Sequence, residues 1–124
     1  MRTLAVTLLA VASLSAYSCR GKSLCASKLN VAKAGIVAIE RAAQQFHQAN
    51  RRHPESIEQL ITADSRGEKF LNQEQAPKDP WGHEYILQTE GDKVLIWSYG
   101  ADRKKGGTGS DSDFNNQMIH RKEI

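Results

Sequence analysis

Residues 77–114, PKDPWGHEYILQTEGDKVLIWSYGADRKKGGTGSDSDF, decide how this chain folds. Asp79-Pro80-Trp81-Gly82 is a turn signal, because aspartate suits the first position of a type I turn, proline the second and glycine the fourth. Beyond it, Tyr85, Leu87 and Thr89 alternate with Glu84, Ile86 and Gln88, the period of a half-buried strand. Glu90-Gly91-Asp92 then makes a second turn, and Val94-Leu95-Ile96-Trp97 follows, apolar on both faces and so the more buried strand. The two runs predict a β-hairpin. Past it the chain becomes glycine-rich over 106–110, between Asp102 on one side and Asp111 and Asp113 on the other.

Working backward, the apolar residues between Lys28 and Asn50 fall at Leu29, Ala32, Ile36, Ile39, Ala43 and Phe46, the spacing of one helical face. Lys28, Lys33, Glu40, Arg41, Gln44 and Gln48 lie off that stripe. Such a face must be covered. The plain expectation is the domain's own sheet; the alternative is bundling with copies of itself through Ala32, Ala34, Gly35, Ala38, Ala42 and Ala43. Asn50 and Pro54 mark the end of the helix, since proline cannot donate and restricts the residue before it. Ser56 and Gln59 then form a capping-box pattern that predicts a short second helix ending near Ala63. Residues 64–75 read as irregular, with Phe70 and Leu71 tethering them to the core. These elements make an α+β fold: a long helix on a small antiparallel sheet.

The first residues read as an export signal. Met1-Arg2 is a short basic start, 3–16 is apolar apart from small hydroxyl residues, and Ala16-Tyr17-Ser18 suits a signal peptidase. The apolar run is shorter than the roughly 18 residues of a spanning helix. The expected division is therefore a signal over 1–18, a tether over 19–27 and one domain over 28–124. Cys19 directly follows the expected cut. It is either acylated, as in a lipoprotein, or, after a plain soluble export signal, left free to pair with Cys25 in an oxidising compartment.

At 124 residues the chain has room for one domain, and a net charge of +3 without a basic stripe and aromatics argues against nucleic acid. Enzyme chemistry finds no support either. His47, His53, His83 and His120 lack metal or catalytic spacing, and Ser98 and Ser110 lack a nucleophile-elbow context. Lys104-Lys105-Gly106-Gly107 reverses the order of a phosphate-binding loop. What remains is the acidic loop. Asp102, Asp111 and Asp113 repel one another unless a cation screens them, and a hard ion such as calcium takes 6 to 8 oxygen ligands, backbone carbonyls among them. The spacing equally fits a solvated turn whose acids balance Arg103, Lys104 and Lys105, and it does not fit an EF-hand.

Three segments together, AIERAAQQFHQANRRHPESIEQL, PKDPWGHEY and SYGADRKKGGTGSDSD, resemble the major pseudopilins of type II secretion systems over roughly 28–114. The most specific piece is the proline-lysine-aspartate-proline-tryptophan-glycine turn with the glycine-alanine-aspartate loop behind it. The resemblance implies a pilin-like helix laid on an antiparallel sheet and a calcium ion held in the C-terminal loop. It also implies a periplasmic, polymerising subunit that works with other pseudopilins in export across the outer membrane. Carried over by motif, the ligands would be the side chains of Asp102, Asp111 and Asp113 and the backbone oxygens of Tyr99 and Ser112. The beginning departs from the family pattern, which has a leader ending in glycine, then phenylalanine-threonine-leucine and an early glutamate. Here Glu40 is the first acidic residue, Arg51 stands where a glycine is usual, and His53 replaces a tyrosine. The expected function is a structural or accessory subunit of the pseudopilus, associated with the membrane if an N-terminal anchor is retained or lipidated, with other pseudopilins as partners and a homopolymer as one form of assembly. The alternative is a periplasmic or lipid-anchored binding module that no longer polymerises.

Overall fold

The computed structural model describes residues 22–122. The expected signal and Cys19 lie outside them, and so does the side chain of Cys25. Helix α1 runs Lys22–Asn50 and helix α2 Glu58–Ile61, followed by strands β1, Ile86–Glu90, and β2, Lys93–Ser98. A 3-10 turn, Gly109–Asp111, leads to β3, Phe114–Asn115, and the C-terminal helix α3, Asn116–Arg121. The sheet is antiparallel in the order β1-β2-β3.

Helix α1 begins at Lys22, seven positions before Leu29 opens the apolar stripe, so residues assigned to a tether are helical. The stripe itself does what its spacing demands. Ala32, Ile36, Ile39, Ala43 and Phe46 are buried, with Leu29 packed at the margin. They close on Tyr85, Ile96 and Phe114 of the sheet side and on Ile57 and Leu60. Each such large side chain contributes about 1.5–3 kcal/mol by leaving water. The self-bundling alternative loses part of its face here, because Ala42 is buried and Gly35 lies under the Tyr85 ring.

The strand register explains the remaining pattern. Leu87 sits opposite Ile96 and Thr89 opposite Val94 on the side facing α1, while Ile86 sits opposite Trp97 on the other. Two hydrogen bonds set the direction of β1 along the helix. The Tyr85 hydroxyl donates to the Ala32 carbonyl, and the Thr89 hydroxyl donates to the Pro54 carbonyl. The hairpin turn therefore lies near the C-terminal half of α1, and β2 returns toward the N-terminal half.

Several local expectations shift. Asn50 ends α1 as expected and donates its side-chain amide to the Phe46 carbonyl, and Arg51 after it is left-handed (φ 56°). Helix α2 is shorter than read and has Ile57, not Ser56, at its N-cap. Gln59 does reach back, but it accepts from the Glu55 backbone, one residue earlier than a capping box requires. Phe70 and Leu71 both donate their backbone N–H to the Leu60 carbonyl, and Phe70 meets Phe46 edge to face, so the long loop is tethered as expected. Within that loop the Arg66 side chain hydrogen-bonds Asp64 and holds its carboxyl below the usual aspartate range.

Candidate metal centre

The turn that opens the hairpin is built around a buried carboxylate. Asp79 is 5% exposed. Its Oδ1 accepts the backbone N–H groups of Trp81 and His83, and its Oδ2 accepts the Ser98 hydroxyl. The Gly82 N–H closes the turn onto the Asp79 carbonyl at 2.9 Å. A buried charge costs several kcal/mol unless its lone pairs are met, and here three donors meet them. Burial, with the Asp79 charge adding to it, pushes the Tyr85 phenol up to about 12.

This turn also carries the acidic loop. The His83 ring nitrogen Nδ1 lies 3.1 Å from the Gly100 carbonyl, where the loop departs, and the Ala101 N–H donates to the Ser110 carbonyl where it returns. Gly100 has φ 64°, and a Cβ there would stand 2.6 Å from the Ser110 oxygen. A Cβ on Gly107 would stand 2.5 Å from the Asp111 carbonyl oxygen. Both glycines are thus required by close backbone approach and by a positive φ, 64° at Gly100 and 98° at Gly107.

The three predicted carboxylates have different surroundings. Asp102 is exposed and accepts the Lys104 backbone N–H, a local turn contact. Asp111 closes the 3-10 turn and is half-buried. Asp113 accepts the Gly106 N–H on Oδ2 at 2.7 Å, while its Oδ1 is buried without a partner. Among the described residues no three acids, histidines or cysteines stand close enough to form a ready-made metal cluster. Tyr99 stacks on Trp97, and Ser112 lies between the two half-buried aspartates. The Asp113 oxygen is a hard donor left unsatisfied inside a loop crowded with carbonyls, which suits an oxygen-seeking cation better than it suits water-exposed acids.

Sequence reasoning missed a second polar cluster. Asn116, 4% exposed, accepts the Ile96 N–H and donates to both the Val94 carbonyl and Glu40. His120 contacts the other Glu40 oxygen at 2.8 Å. Glu40, placed off the apolar stripe by its spacing, ties α1 to α3. The one local signal available was Asn115, whose side chain accepts the Met118 N–H and caps α3.

The sequence model described as "Type II secretion system (T2SS), protein G" matches residues 21–117. The chain belongs to that family. It is 33% identical over 94 residues to the type II secretion system core protein G of Vibrio cholerae, a stretch covering 68% of this chain and 64% of the relative. The core protein G of Xanthomonas campestris is 30% identical over 95 residues, covering 73% of this chain and 66% of the relative. The chain thus spans just under two thirds of the length of these relatives. Its fold matches the crystal structure of the major pseudopilin from the type 2 secretion system of enterohaemorrhagic Escherichia coli. The TM-score is 0.60 at 21% identity, over 76% of this chain and 90% of the other. The helix-on-sheet architecture of this protein G family member is therefore pilin-like.

Proposed function

We propose that this chain is a structural subunit of a type II secretion pseudopilus, assisting the export of folded proteins across the outer membrane. The observation that carries this reading is the family match across residues 21–117, which takes in the helix, the Asp79 turn and the glycine loop together. Its work is assembly, with other pseudopilins as partners and the periplasm as its location. Among the described residues no helix is long and apolar enough to cross a membrane.

The finer reading gives the loop a structural calcium ion. Asp102, Asp111 and Asp113 would hold it with their carboxylates, and Tyr99 and Ser112 with their backbone oxygens. The orphaned Asp113 Oδ1 supports this assignment. A bound ion would neutralise the acids and fasten the end of β2 to β3; it would supply no reaction.

The assembly reading is tested by expressing the full chain in a secreting bacterium that lacks its own major pseudopilin. Restored secretion, with crosslinked ladders containing the chain and other pseudopilins, is the expected result. Release of the chain as a soluble monomer that enters no ladder would refute it. A thermal melt in millimolar calcium against a chelator tests the ion separately, since a ligand of the folded state alone must raise the melting temperature.

A further inference from the structure

A cavity of about 270 Å³ opens between the C-terminal half of α1 and the hairpin turn. Among the described residues its lining includes Glu40, Gln44, His47, Gln48, His53 and Asp92, and no lysine or arginine. His47 and His53 stack face to face with ring centroids 4.1 Å apart. His47 Nδ1 is buried and has no hydrogen-bond partner. The cavity thus offers the Asp92 carboxylate, the Glu40 carboxylate whose oxygens also meet Asn116 and His120, two side-chain amides, stacked rings and an unspent ring nitrogen. That set recognises a long cationic side chain: the stem lies against the rings and the charged head meets the acids.

The opposite end of the molecule carries such side chains. Because β1 runs from beside Ala32 to beside Pro54, the hairpin turn and the loop after β2 lie at opposite ends of the packed part of α1. That loop exposes Arg103, Lys104 and Lys105 in succession, with Arg103 in a left-handed conformation at φ 57°. One chain cannot bring its own loop to its own cavity. We propose that the Arg103–Lys105 tip of one copy docks into the Glu40–Asp92 cavity of a second copy. Such a contact is heterologous, joining two different surfaces, and it repeats without closing whenever its rotation does not complete a ring. The inference rests on the assembly reading above and names the surfaces that one subunit offers the next.

The test uses the full chain in pseudopili of a secreting bacterium. One tagged copy carries Lys104→Cys and a differently tagged copy carries Gln48→Cys, with chains bearing only the native cysteines as background. Mild oxidation should give a mixed dimer only when both substitutions are present. Asp92→Lys, in the exposed hairpin turn, should lower its yield about fivefold, as expected for reversing one side of a partly exposed ion pair. Adding Arg103→Asp and Lys105→Asp on the facing copy should restore it. A dimer indifferent to Asp92→Lys would overturn the recognition. So would the absence of a mixed dimer in pseudopili where an Ala34→Cys chain still crosslinks to its neighbours, an outcome that leaves the assembly reading standing. If no position crosslinks, both fall.

Discussion

The face of α1 against the sheet and the loop over residues 100–113 are held together by opposite means. The first is apolar and dry: Ile36, Ile39, Ile96 and Phe114 are at most 1% exposed, and their burial needs no particular partner atom. The second has little apolar cover. It keeps its shape through backbone hydrogen bonds, two tightly approached glycines and carboxylates that accept from their own loop. Hydrophobic burial involves no charge to be screened, whereas a loop of this kind depends on what neutralises its charges. One region specifies the fold, and the other carries acids that its own hydrogen bonds only partly satisfy.

Cutting into the core should cost most. Phe114→Ala empties a fully buried aromatic site between α1 and β2, and a loss of about 3–5 kcal/mol is expected from urea unfolding, with or without calcium. A loss under about 1 kcal/mol would break the contrast at once. Asp113→Ala should behave in the opposite way. Without calcium it should change stability little, and with calcium at a hundredfold over its dissociation constant it should remove a stabilisation of about 2.7 kcal/mol. A calcium-independent effect of that size would make the loop another piece of self-sufficient structure. Asn116→Ala sits between the two regimes, because it strips a buried N–H on β2 of its acceptor and Glu40 of a donor. A loss of about 1–3 kcal/mol, read in a thermal melt, is expected.

The smallest effect concerns alkali. The Tyr85 phenol is raised from 10.0 to about 12 in the folded chain. The neutral ring is thus favoured by the fold, and its contribution is fully present below pH 10. It should fade between about pH 10 and 12 as the unfolded chain releases its proton first. Tyr85→Phe should flatten that part of the stability-against-pH curve. An unchanged slope would show that another group governs it.

How much of this was legible depended on the range of the interaction. The α1 stripe and the hairpin announce themselves by periodicity within a few residues, and Asp79-Pro80-Trp81-Gly82 folds as its turn chemistry dictates. Strand β3 and helix α3 did not, because two strand residues and six helical ones are too short for a period to emerge. The Glu40 ties to Asn116 and His120 span separations of 76 and 80 residues, with no local trace in either segment. The cavity histidines likewise meet only because Arg51 turns the chain back after α1. In the loop, the acid pattern was visible but its geometry was not. Sequence spacing gave three equivalent aspartates, and the structure gives one exposed, one in a turn and one with a stranded oxygen.

The notch at Gly35 has a mechanical meaning. A Cβ at that position would stand 2.2 Å from the Tyr85 hydroxyl oxygen and 2.8 Å from Cζ. Its neighbours one turn away along the same row, Val31, Ala32, Ala38 and Ile39, all carry one. Were the helix to slide by about 5.4 Å, a single turn, the aromatic ring would strike a methyl group or larger. Axial force on α1 therefore meets a detent, and tension or thrust passes into the sheet without the helix creeping through it.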